Sequence, residues 1–212
     1  MKARILVWLV ALFCCHNVLF AQKEFVNASA RLSGHPRILL QKGEEKALKK
    51  VIMKDAVWKD IHQSLVDEAG EIVKLPLNER IKTGRRLLSV SRENLRRIFI
   101  LSYAYRMTGK NEFLKRAESE MLKAASFSDW NPSHFLDVGE MTMALAIGYD
   151  WLYPQLSVQT KKEIENAIVE KGLKPSFDER YNWFVNAVHN WSQVCHAGVT
   201  SVAYTHLTLP TN

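Results

Sequence analysis

Ten consecutive residues, His189-Asn190-Trp191-Ser192-Gln193-Val194-Cys195-His196-Ala197-Gly198, gather the groups with the most chemical capacity in the chain. Two imidazoles, two side-chain amides, an indole and a thiol stand within one short stretch. It follows the aromatic run Tyr181-Asn182-Trp183-Phe184 and leads into the small and apolar residues Ala197 to Ala203. A helix that only had to pack has no need of so many polar side chains at its start. Gripping a sugar ring and moving a proton calls for this mixture: an aromatic platform, amide donors and a group that titrates near neutrality.

Each of these residues has two readings. Asn190 is either an amide donor to a sugar carboxylate or a helix N-cap completed by Gln193 in a capping box. His189, Gln193 and His196 fall on one helix face at i, i+4 and i+7. The two histidines of that face could start a metal site, but no third ligand of matching spacing is nearby, so neither a metal nor another cofactor is expected. His196 is either a base or a satisfied histidine in an apolar helix. Trp183 and Trp191 flank the polar cluster and suit stacking on a sugar ring, with Trp130 a further candidate contact, whereas Trp151 reads as core. His134 and Glu140 surround the start of an apolar helix where a groove could open. Glu140 equally suits the positive end of that helix. The paired carboxylates expected of a glycoside hydrolase are not evident.

The elements that must position these groups read as helix after helix. Gly43 to Lys54 and Ala56 to Ala69 carry apolar residues at helical spacing. Ser91 is the expected N-cap of a long helix closed by Gly109, and Asn111 to Ala125 follows after a short turn as its antiparallel partner. Asp137 is expected to cap an apolar helix, Val138 to Tyr153, that ends at Pro154. Ser157 is expected to cap Val158 to Lys171, closed by Gly172 and Pro175. Residues 175–185 suggest a short helix or turn, and another helix begins near Asn190. No alternating run long enough for a sheet is visible. An apolar helix followed by a charged one, twice over, predicts an all-α fold of antiparallel helical hairpins with buried inner and half-wet outer helices.

Bulk properties narrow the setting. Residues 1–21 read as an export signal: Lys2 and Arg4, then an apolar run from Ile5 to Cys15, then Ala21 before Gln22. That run is short for a membrane span, so the expected protein is exported, periplasmic or secreted, with acylation of Cys14 or Cys15 the alternative. Of the three cysteines only Cys195 lies beyond this segment, which rules out an internal disulfide in the mature chain. The net charge of +7, two of it from Lys2 and Arg4, suits an acidic partner. No dense Lys/Arg stripe with interleaved aromatics points to nucleic acid. Residues 22–42 read as a lead-in segment, 43–204 as the helical domain, and 205–212 as an irregular tail that breaks the last helix.

Three stretches taken together resemble a known family. His35-Pro36-Arg37-Ile38-Leu39-Leu40, the run EMTMALAIGYDWLYP from Glu140 to Pro154, and HNWSQVCHAG at 189–198 are similar to the N-terminal helical domain of heparinase II/III-like polysaccharide lyases, a grouping that takes in related alginate lyases. The similarity runs over about residues 35–203. It implies an incomplete (α/α) toroid followed by β-sandwich domains, so that this chain would be an N-terminal fragment. It also implies β-elimination at a uronic acid residue of an acidic polysaccharide, heparan sulfate-like, another glycosaminoglycan or alginate. Asn190 would neutralise the sugar carboxylate, and His189 or His196 would assist or act as base. A tyrosine beyond Tyr204 would be the acid. A non-catalytic glycan-binding toroid and an (α/α)-barrel glycoside hydrolase are the rival expectations.

Overall fold

The most apolar segment of the chain becomes its centre. In the computed structural model, which describes residues 34–206 with side chains as far as Val202, helix α5 (Phe135–Leu152) is buried along nearly its whole length. Such a helix has no wet face to offer, and it is surrounded. It packs against α3 (Leu88–Thr108) on one side and α7 (Asn190–His206) on another, with α4 (Asn111–Ser126) and α6 (Val158–Ala167) touching it more lightly. Two further helices, α1 (Glu45–Lys54) and α2 (Ala56–Lys74), precede these, and α2 lies against α3. Among the described residues there is no β-strand, only an isolated bridge between Thr83 and Arg86. The all-α expectation holds. His35–His206 forms one compact unit, so the lead-in residues from His35 onward belong with the helices.

Hairpin links follow from local chemistry. Gly109 adopts a left-handed conformation (φ 73°) and its N–H returns to Tyr105 O at 2.7 Å, ending α3 so that α4 can start at Asn111. Ser157 accepts from Thr160 N at 3.0 Å and caps α6 as expected. Asp55, the single extended residue between α1 and α2, accepts from Val57 N and Trp58 N. The inner and outer assignment also holds. Ala144 and Ile147 of α5 are buried, while Lys161 and Glu165 of α6 are half-buried and Lys162 and Glu163 exposed. No helix among the described residues is long and apolar enough to cross a membrane.

Several expected helix ends need correction. Helix α2 runs through Gly70 to Lys74, beyond Ala69. Helix α3 begins at Leu88, so Ser91 lies inside it, and its hydroxyl donates to Leu88 O and Glu140 rather than capping. Helix α5 begins at Phe135, so Asp137 sits in the first turn with other duties described below. Gly172 and Pro175 do not stop α6. The helix continues through a π-helical stretch, Ile168–Leu173, into a last turn, Lys174–Ser176, that contains Pro175. A Cβ at Gly172 would stand 2.6 Å from Thr142 Oγ1 and 3.2 Å from Trp130 Cζ3, so close packing on α5 requires glycine there. Helix α7 extends through His206, two residues into the segment read as irregular. The export signal at 1–21 and residues 207–212 lie outside the described residues.

The HPRILL stretch is a strap on α5. One carboxylate, Asp150, takes His35 Nδ1 at 2.6 Å, Arg37 N at 2.8 Å and Ile38 N at 3.0 Å. Trp151 Nε1 donates to Ile38 O at 2.9 Å, and the His35 ring stacks on Tyr153 at 4.1 Å. These pins hold Leu39 at φ 58° with its side chain 66% exposed. A non-glycine residue in that region is strained by about 1–2 kcal/mol.

The α5–α7 contact is a glycine crossing. A Cβ at Gly198 would lie 2.1 Å from Gly139 O, and one at Gly139 would lie 3.1 Å from Cys195 Cα. The two backbones therefore touch, which brings the first turn of α7 against the first turn of α5.

Candidate functional site

The first turn of α5 lies against the starts of α3 and α7, and Asp137 ties it to the residue ahead of α3 and, through His134, to Trp191 of α7. The Asp137 carboxylate is fully buried. Oδ2 accepts Leu87 N, just ahead of α3, at 2.7 Å and Asn131 Nδ2 at 2.7 Å. Oδ1 pairs with His134 Nδ1 at 2.8 Å. Asn131 stands in the left-handed region (φ 58°), which asparagine tolerates, and its amide also reaches Arg85 O at 2.8 Å. A buried carboxylate with three donors is satisfied and rigid.

Asp137 fixes the neighbouring imidazole. His134 is nearly inaccessible, and its ring meets the Trp191 indole edge-on at 4.7 Å between centroids. Trp191, half-buried, in turn contacts Trp183 at 4.9 Å and His189 at 6.5 Å, while Trp183 lies 6.0 Å from His189. The result is two tiers: a buried Asp137–His134 pair, and above it an accessible rim of Trp191, Trp183 and His189. Trp183 remains 45% exposed.

Helix α7 sorts its residues by face. Trp191, Cys195, Gly198 and Val202 recur toward α5, while Gln193 and His196, like His189 just ahead of the helix, are exposed. At about 100° per residue Asn190 projects between these two faces. Asn190 is exposed, occupies the first helical position, and its side chain makes no hydrogen bond among the described residues. The cap is His189 instead. Trp191 N donates to His189 Nδ1 at 3.4 Å and Ser192 N to His189 O at 3.0 Å. The capping-box reading of Asn190 and Gln193 is therefore set aside.

Hydrogen bonding selects the tautomer that each of the two imidazoles has in its neutral form. His189 Nδ1 accepts, so its N–H is at Nε2 and can donate. His196 Nδ1 lies 2.7 Å from the Ser192 carbonyl, which can only accept, so its lone pair is at Nε2. The His196 ring also contacts Phe184 at 5.3 Å.

Glu140 sits one turn deeper. It accepts from Ser91 Oγ at 3.0 Å and Arg92 Nε at 3.1 Å, with its side chain only 11% exposed. Burial pushes its carboxyl above the ordinary value, against the lowering effect of Arg92 and Ser91. The Cys195 thiol is buried and pushed up to about 12, chiefly by desolvation and further by the Glu140 charge. It is protonated and inert at neutral pH.

Trp130 does not join this group. It is fully buried, with Nε1 donating to Ala124 O at 3.0 Å, and presents no surface to a ligand. The spacing of the tryptophans gave no sign of this difference, because burial is decided by tertiary packing. Asp137 and Asn131 went unrecognised as site residues for the opposite reason. The sequence Asn131-Pro-Ser-His134 followed by Asp137 reads locally as a turn and a cap, although a histidine three residues before an aspartate on a helix start is a usable signal. Among the described residues no three His, Cys, Asp or Glu side chains converge to hold a metal ion. No protein-family model matches the chain, and no curated protein sequence matches it.

Proposed function

We propose that this chain is the helical part of an exported polysaccharide lyase that cleaves uronic-acid-containing acidic polysaccharide by β-elimination, its hairpins forming part of an (α/α) toroid. The observation that carries the reading is Asn190: an exposed amide with no described intramolecular partner, beside an aromatic rim seated on a buried His–Asp pair. The order of helices, with α3, α5 and α7 in mutual contact through α5 and α4 and α6 outside, supports the toroid.

The chemistry follows from charge. Removing the C5 proton of a uronic acid places a second negative charge next to an existing carboxylate. A donor aimed at that carboxylate stabilises the developing enolate. Asn190 Nδ2 and the Nε2–H of His189 supply such donors. His196 offers an unprotonated Nε2 as base. The departing glycosidic oxygen takes a proton from an acid, which the family resemblance assigns to a tyrosine beyond residue 204. Trp183 and Trp191 stack on the sugar rings and set the distance between carboxylate and amide.

The test uses the protein encoded by the complete gene. Asn190→Ala and Asn190→Ser are assayed for unsaturated uronide by absorbance, alongside thermal melting. Losing one donor costs about 2.7–4 kcal/mol of transition-state stabilisation, or roughly 10²–10³ in rate. Because Asn190 is exposed and neither caps nor bonds, stability moves by less than about 0.5 kcal/mol. Near-normal turnover in both variants would remove Asn190 from the reaction. Retained binding with no elimination product in the wild type would point to the non-catalytic glycan-binding toroid.

A further inference from the structure

We infer that the turn Lys82–Arg86, tied to the aromatic rim through Asn131, Asp137 and His134, is an oxyanion-binding subsite that takes the carboxylate or sulfate groups of the same acidic sugar chain. The inference rests on the acidic-polysaccharide reading and adds to it a place where the substrate's charge is read. The turn is tight: Thr83 N donates to Arg86 O at 2.8 Å, Arg86 N returns to Thr83 O at 3.2 Å, and Gly84 supplies a left-handed residue at φ 61°. All of Lys82, Thr83, Gly84, Arg85 and Arg86 are exposed.

Pairing marks out the two arginines of this turn. Arg80, Arg92, Arg96, Arg97, Arg106, Arg116 and Arg180 each contact a carboxylate. Lys82, Arg85 and Arg86 have no ion pair among the described residues, although they follow one another within five positions. Like charges held together without counter-charge are unfavourable, so a fold that keeps them so leaves them available to an external anion. The acidic side chains around the turn do not neutralise it: Asp129 is taken by Arg80, Asp137 is buried with three donors, and Glu140 is taken by Arg92 and Ser91.

The turn is also built into the site. Arg85 O accepts from Asn131 Nδ2, the same amide donates to Asp137, Asp137 also receives Leu87 N immediately after the turn, and its other oxygen holds His134 against Trp191. A single buried carboxylate thus fixes both the cationic turn and the aromatic platform. Stacking on neutral sugar faces and pairing with their charged substituents are the two contacts an acidic polysaccharide needs.

The experiment measures binding of three hexasaccharides: a sulfated heparin fragment, a polymannuronate fragment carrying carboxylates only, and neutral cellohexaose. Each is titrated by calorimetry into the wild type, into the triple variant Lys82→Gln/Arg85→Gln/Arg86→Gln, and into Lys82→Arg/Arg85→Lys/Arg86→Lys, which keeps the charge. With about 0.7–0.9 of salt slope per neutralised anion, removing the three cations lowers the slope of log affinity against log salt by roughly 2. Raising salt from about 50 to 200 mM then costs the wild type about 16-fold more affinity than the glutamine variant. The charge-keeping variant retains the wild-type slope. Which acidic hexasaccharide shows the larger effect tells sulfate from carboxylate recognition. If the glutamine variant melts early, the single Arg85→Gln and Arg86→Gln proteins are used, each losing a slope of about 0.8. Acidic binding that is unchanged in affinity and slope in the variants overturns the subsite and leaves the acidic-polysaccharide reading standing. Wild type that binds neither acidic fragment, or binds cellohexaose equally well, overturns both.

Discussion

Replacing Gly198 by alanine tests whether the glycine crossing holds α7 in place. The added Cβ would lie 2.1 Å from Gly139 O, 2.7 Å from its carbonyl carbon and 2.8 Å from its Cα, all of them backbone atoms. A carbon–oxygen contact needs about 3.3 Å, so the helices must separate by roughly 1 Å. No rotamer change can relieve a clash with backbone, unlike Gly148, whose Cβ would meet the ends of Met121 and Ile98. Separation by that amount forfeits a quarter to a half of each dispersion contact along the interface. Overpacking costs about 1–3 kcal/mol, and the backbone clash puts Gly198→Ala at the upper end. Alanine's helix propensity returns about 1 kcal/mol, leaving a net loss of about 2 kcal/mol. Urea unfolding followed by circular dichroism would then show the midpoint falling by about 1 M, taking a slope of about 2 kcal/mol per molar. Gly70→Ala is the control. It lies inside α2 with nothing within 4 Å of its Cβ, and it gains up to about 1 kcal/mol. A Gly198→Ala protein as stable as wild type, with Gly70→Ala behaving as expected, would refute the close crossing.

Two further outcomes are expected. Leu39→Gly removes the left-handed strain of an exposed leucine and raises stability by about 1 kcal/mol, read from the same urea midpoint; a fall in midpoint would show that Leu39 is packed rather than strained. Glu93 is held down to about 2, first by its hydrogen bond with Arg96 and then by Arg97. Its folded-state value is depressed, so its contribution is complete above the ordinary carboxylate value of 4.5 and is lost as pH falls toward 2. Glu93→Gln therefore flattens the acid limb of stability between those values, and an unchanged acid limb would contradict the assignment.

The sequence disclosed the elements far better than their ends. Helix α5 was legible because a segment apolar on all sides has only one place to go, and Gly109 was legible because a left-handed terminus selects glycine. Ser91 and Asp137 misled because a cap signature records only a local opportunity. Glu140 and Leu87 N, tens of residues away in sequence, claimed those oxygens instead. Gly172 misled in the same way, since its small size serves the packing of Trp130 and Thr142 rather than a stop. At the site, the exposed residues His189, Asn190, Gln193, His196 and Trp183 were legible because solvent-facing polar and aromatic groups at a helix start stand out. Trp130 and the paired Asp137 were not, since nothing local distinguishes a buried aromatic or a buried acid from an exposed one.

The strap at His35–Ile38 imposes an order on events in time. Its anchor, Asp150, lies 112 to 115 residues further along the chain. A ribosome therefore delivers the strap long before the residue that fastens it, and the early segment stays unfastened until α5 has emerged. Closing so long a loop costs about 4 kcal/mol from the logarithmic chain-entropy term alone, so the pins form late, after the helices have shortened the path. The first part of the described chain to be synthesised is thus the last to be secured, and a pulse of protease early in refolding would cut near His35 while sparing α3 to α5.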